Sequence, residues 1–66
     1  MRSFFFKLHG CDPNPDHKVN KVQVDAESAN EACTLIRDNA ARAANRWRVP
    51  VEIMYHGKSI DIVFPG

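Results

Sequence analysis

The sequence predicts a small α+β domain: a four-stranded, largely antiparallel sheet with one helix on one face, in the order ββαββ. Three observations predict it. Residues Ser28 to Arg46 carry apolar side chains at helical spacing. The stretches on either side alternate between apolar and polar residues, as half-buried strands do. Glycine and proline clusters punctuate the alternating runs.

The first strand is read from Ser3 to His9, with Phe4, Phe6 and Leu8 on one side and Ser3, Phe5, Lys7 and His9 on the other. Gly10 to His17 holds a glycine, two prolines and an asparagine among aspartates. Proline fixes its φ and lacks an amide donor, so a surface loop is expected there. Alternation resumes from Lys18 to Asp25, with Val22 and Val24 inward and Lys21, Gln23 and Asp25 outward. These two strands form a hairpin with a long loop.

Ser28 followed by Glu31 has the spacing of a capping box, in which the serine oxygen accepts from the N3 amide and the glutamate reaches back to the cap amide. The helix is therefore expected to start at Ser28. At about 100° per residue, Ala29, Ala32, Cys33, Ile36, Ala40, Ala43, Ala44 and Trp47 share one stripe. A face made mostly of alanine lets the helix lie close to a sheet, with Ile36 and Trp47 as its larger anchors. Pro50 disfavours helical geometry at Val49 and ends the helix shortly before it.

Arg48 to Tyr55 alternates again, with Val49, Val51, Ile53 and Tyr55 inward. His56-Gly57-Lys58 supplies a turn into Ile60, Ile62 and Phe64, giving a second hairpin. Phe64-Pro65-Gly66 reads as a frayed tail. The core face is expected to carry Phe4, Phe6, Val22, Val24, Ile53 and Ile62. The opposite face is expected to carry Phe5, Lys7, His9, Lys21, Gln23, Glu52, Met54, His56, Asp61 and Val63.

The 66 residues make one domain, which at this size buries only about 60% of the surface of its unfolded chain. Hydrophobic residues at 44% and charged residues at 26% exclude the low-hydrophobicity, high-charge composition of disordered chains. Nine basic and eight acidic side chains leave a formal charge of +1, too little for whole-molecule attraction to nucleic acid or for imitation of a polyanion. Any role of charge must come from local patches. Cys11 and Cys33, with no charged-then-apolar leader in the sequence, fit free thiols in a cytoplasmic protein. No apolar run approaches the roughly 18 residues of a membrane span, so a soluble chain without membrane contact is expected.

The densest set of potential metal ligands is His9, Cys11, Asp12, Asp16 and His17, but it lacks the paired spacing of zinc knuckles and ribbons. Asp12-Pro13-Asn14-Pro15-Asp16 has the first ligands of a calcium loop. However, His17 stands where glycine is needed and Gln23 where the bidentate glutamate belongs. Neither metal is assigned. Cys11 beside His9 or His17 is the only nucleophile-base pair in reach, and nothing in the sequence lowers that thiol's pKa. With no phosphate loop, no dinucleotide fingerprint and little volume for a substrate pocket of a few hundred Å³, no catalytic residue and no cofactor are expected.

Surface patches say more. On the helix Leu35, Asn39, Arg42 and Arg46 share a stripe beside the buried face. Arginine's planar fork pairs with carboxylates and stacks on aromatics, so the stripe suits a protein contact. Its competing explanation is offset of the helix dipole by Arg42, Arg46 and Arg48. On the open sheet face Phe5, Met54 and Val63 are expected to form an apolar island with a polar rim, the look of a dimer or partner surface. The alternative is a nucleic-acid site using Lys7, Lys21, Arg42 and Arg46, although sheet-face nucleic-acid modules bring more aromatics and a larger basic excess.

Val22-Gln23-Val24-Asp25-Ala26-Glu27-Ser28-Ala29-Asn30-Glu31-Ala32 resembles the passage from strand to helix in many small proteins of bacteriophages and other mobile elements, anti-CRISPR proteins among them. The resemblance covers about a sixth of the chain and carries no functional residue with it. It implies a stoichiometric inhibitor that binds a larger host protein or nucleoprotein complex by its surface, without a cofactor. Many such inhibitors are strongly acidic and this chain is not, which leaves steric or pocket-blocking binding rather than nucleic-acid mimicry.

Overall fold

A computed structural model describes residues 1–11 and 19–66. It holds one sheet and one helix in the order β1 (Arg2–Gly10), β2 (Val19–Ala26), α1 (Ala29–Trp47), β3 (Val51–Tyr55) and β4 (Lys58–Val63). The sheet order is β2-β1-β3-β4, with all three strand pairs antiparallel. The fold is thus α+β with the helix on one face, as the alternation and the capped helix predict. The expected metal loop residues Asp12, Asp16 and His17, the calcium-like run they belong to, and Lys18 lie outside the described residues.

The helix begins as its sequence dictates. Ser28 is extended and its hydroxyl accepts from the Glu31 amide at 3.2 Å. The Glu31 carboxylate accepts from the Glu27 amide at 3.2 Å, one residue before the cap amide expected from the capping box. At the other end Arg48 takes a left-handed conformation, φ 60°, and its amide donates to the Ala44 carbonyl at 2.7 Å. This αL cap ends the helix two residues before Pro50.

Five helical side chains are buried against the sheet: Ala32, Ile36, Ala40, Ala43 and Ala44. Ala29 and Cys33 lie on the same arc but are exposed, contrary to expectation. Both belong to the first turns, where Ala32 alone is covered; coverage is continuous only from Ile36 onward. Trp47 is half-buried against the core. The strands add Phe4, Phe6, Leu8, Val24, Ala26, Val51 and Ile53, and no polar side chain is buried among the described residues. The Phe6 and Tyr55 rings pack at 5.0 Å between centroids.

The second hairpin departs from strict alternation. Its two-residue turn, His56-Gly57, has φ of 50° and 78°, the left-handed pair that matches the twist of the flanking strands. From that turn Tyr55 pairs with Lys58 and Met54 with Ser59, so an unbroken ladder would set Ile60 opposite Ile53 and turn Ile62 inward. Instead a bulge at this point sets Asp61 opposite Ile53, Ile62 opposite Glu52 and Val63 opposite Val51. One extra residue exchanges the faces of everything beyond it. Ile62, expected in the core, is 45% exposed, whereas Val63, expected on the open face, packs against the core. Asp61 shares the helix side, where Arg37 Nε meets its Oδ2 at 2.8 Å. Asp61 is only half-buried there, and the helix supplies its ion-pair partner.

The C-terminal residues are also tied down rather than frayed: the Gly66 amide donates to Asn45 Oδ1 on the helix at 2.8 Å.

Candidate functional site

Because α1 covers one face, the outward-pointing residues of the strands form a second, open face. The register arranges them in rows. Ser3 stands opposite Asp25, Phe5 opposite Gln23 and Lys7 opposite Lys21; Lys7 also neighbours Met54, which neighbours Ser59. The last row runs Val19, His9, Glu52, Ile62 across all four strands. An apolar diagonal thus passes from Phe5, 64% exposed, through half-buried Met54 to Ile62. Ile60, at the bulge, is exposed beside it on β4. The expected apolar island exists with a different member: Ile62 replaces Val63.

The upper end of this face is fixed by a polar cluster. The Ser3 hydroxyl donates to Asp25 Oδ1 at 2.8 Å, and Gln23 Nε2 donates to the Ser3 hydroxyl and to Asp25 Oδ1, each at 3.2 Å. The bond from Ser3, followed by that from Gln23, holds the Asp25 carboxyl below its ordinary value of 3.8. A carboxyl whose folded value is depressed stabilises the fold above its unfolded value and loses that contribution as pH falls through the folded value. A carbon-13 NMR titration should place the Asp25 midpoint below 3.8, and Ser3→Ala should return it toward 3.8. An Asp25 midpoint unmoved by Ser3→Ala would discard this account.

Beside the diagonal lies a groove of about 420 Å³ whose walls include Phe5, Lys7, Lys21, Gln23, Met54 and His56. Its origin is topological. The β1–β3 ladder stops at the Lys7–Met54 pair, so the tip of the second hairpin leaves β1 and opens a space beside Phe5. The small size of the chain suggests little room for such a volume, yet a hairpin diverging from its neighbour makes one on the surface without costing core.

The residues expected to bind a partner fall on two separate surfaces. Phe5 and Met54 belong to the open face. Leu35, Asn39, Arg42 and Arg46 lie along the helix, which packs on the other side of the sheet; Leu35 is 40% exposed. Their freedom is limited: Arg42 pairs with Asp38 one turn earlier, and Asn39 Nδ2 donates to the Leu35 carbonyl at 3.4 Å. The nucleic-acid set divides in the same way, since Lys7 and Lys21 are directly opposite on the open face while Arg42 and Arg46 lie on the helix. The four do not form one basic surface.

His9 is half-buried and Cys11 exposed; the Cys11 thiol sits 4.0 Å from the carbonyl of His9. Among the described residues no three His, Cys, Asp or Glu side chains converge as a metal site. Cys11 and Cys33 are both exposed and unbridged. Among the described residues no helix is long and apolar enough to cross a membrane. Comparison with protein-family models, curated proteins and solved structures found no match to this chain.

Proposed function

We propose that the chain is a non-enzymatic binding module that contacts a larger protein or nucleoprotein complex through the open face of its sheet. The observation that supports this is the apolar diagonal Phe5–Met54–Ile62, with Ile60 beside it, set among Lys7, Lys21, Glu52 and His9. A sheet face with an apolar strip and a charged rim has the composition of a protein interface. The helix stripe is the weaker surface, because Arg42 and Asn39 already have partners within the helix. That the module acts as an inhibitor of a host complex, in the manner of the anti-CRISPR proteins of mobile elements, rests on the resemblance at residues 22–32. On this reading the protein acts in the cytoplasm of a host cell and needs no cofactor.

The test is affinity capture with three forms of the chain: native, Phe5→Ser/Ile62→Thr, and Arg42→Glu/Arg46→Glu. A protein retained by the native chain should be lost with the sheet-face variant and kept with the helix variant. Loss with the helix variant alone would move the contact to the Leu35–Arg46 stripe. Retention by all three forms would refute both surfaces. Light scattering on the native chain covers the homodimer reading, in which Phe5→Ser/Ile62→Thr turns a dimer into a monomer.

A further inference from the structure

Lys7 and Lys21 face each other directly across the β1–β2 pair on the open face. Side chains so placed lie within a few ångströms of one another, and like charges there repel. Sheets normally relieve this with an intervening carboxylate. Here the ion pairs among the described residues, Arg37–Asp61 and Arg42–Asp38, are both made by the helix. Of the carboxylates described on this face, Asp25 already accepts from Ser3 and Gln23, and Glu52, one row on from Lys7 and opposite His9, forms no ion pair with either lysine. The groove beside the lysines has no acidic residue in its walls, and it adds a third basic side chain, His56. That imidazole is held at the turn by a left-handed backbone and by an edge contact with the Tyr55 ring at 4.1 Å. The wall next to the lysines is the flat, exposed ring of Phe5, with Met54 beside it.

Two facing lysines that make no ion pair among the described residues, with an imidazole beside them, suit an anion. An exposed aromatic ring within the same groove calls for a flat, apolar group attached to that anion. The volume of about 420 Å³ is in the range of small-molecule sites and suits one such unit rather than a long chain. We propose that this groove binds a nucleotide unit, with its phosphate between Lys7 and Lys21 and its base against Phe5. An acidic peptide would satisfy the lysines but would leave the ring without a planar partner. This goes beyond the protein-contact reading: the nucleotide occupies the groove between β1–β2 and the tip of the second hairpin, leaving Ile60 and Ile62 on β4 for a protein. A face of that kind fits a nucleoprotein target.

The test is an amide NMR titration of the nitrogen-15-labelled chain with uridine and adenosine monophosphates, a ten-residue oligouridylate, inorganic phosphate and octaglutamate. The nucleotides and the oligomer should shift the amides of Phe5, Lys7, Lys21 and His56 and leave those of Arg42 and Arg46 in place. Saturation by mononucleotides as tight as by the oligomer identifies a free nucleotide as the ligand; much tighter oligomer binding identifies single-stranded nucleic acid. Phe5→Ala should weaken binding by about ten-fold, the loss expected for one stacked base. Lys7→Gln and Lys21→Gln should each weaken it while leaving Tm unchanged or raised, because either change removes the like-charge pair. Octaglutamate binding as tightly as the nucleotides, shifts that survive both lysine changes, or no shift at millimolar nucleotide would each overturn the proposal.

Discussion

Replacing Ile36 by alanine is expected to cost about 2–5 kcal/mol, because it removes the only large side chain that the helix buries completely. Ile36 is 0% exposed, and its buried companions on α1 are all alanines. They have no spare volume to relax into the space left behind, so a cavity should remain. A domain of 66 residues has a total stability of roughly 3–10 kcal/mol at 0.05–0.15 kcal/mol per residue. The variant is thus expected to be near the edge of folding, with Tm lowered by roughly 10 °C or more. Urea unfolding checks this: the midpoint should fall with an unchanged m value. A loss under about 1 kcal/mol would mean that the helix does not seat on Ile36.

The opposite change of volume at the same seam should also be costly. Ala40 is 0% exposed between the helix and the sheet, and Ala40→Leu inserts three carbons where none fit. Overpacking of this kind costs about 1–3 kcal/mol, and leucine is nearly as good a helix former as alanine, so the loss reports contact with the sheet and not helix propensity. Ala29→Leu is the matched control. It lies on the same arc of the helix but is exposed, and its effect should stay within about 0.5 kcal/mol. Equal losses at residues 29 and 40 would contradict the observed coverage.

The elements were legible because each is specified locally. Ser28 and Glu31 mark the helix start, Pro50 lies just past its end, and the period-two runs mark the strands. The face of β4 was not, and the reason is physical. Ser59-Ile60-Asp61-Ile62-Val63 offers apolar side chains on both sides, so alternation alone does not say which side is inward. The ion-pair partner of Asp61, Arg37, comes from another element. A bulge beyond the tight turn then shifts the register by one residue, and a period-two pattern carries no mark of that. The exposure of Ala29 and Cys33 has a related cause: angular position on a helix is visible in the sequence, but how much of its length is covered is not.

The candidate site was partly legible. Phe5, Lys7, Lys21 and Met54 were placed on one face by alternation. That Lys7 stands opposite Lys21 depends on the β1–β2 register, which a long connection leaves unspecified. The groove depends on where the β1–β3 ladder stops, and no residue type signals that. Arg42 and Arg46 were grouped with the lysines by charge alone, and the three-dimensional arrangement separates them.

The proposed protein contact depends on Ile62 facing outward with Phe5 and Met54. Equilibrium unfolding of Ile62→Thr beside Ile53→Thr tests this most directly, since both changes keep a β-branched residue in a strand. Ile62→Thr should lie within about 1 kcal/mol of the native chain. Ile53→Thr, which buries a hydroxyl and leaves a void at a fully enclosed position, should lose about 2–4 kcal/mol. An Ile62→Thr loss as large as that of Ile53→Thr would put Ile62 in the core and contradict the open face described for this protein.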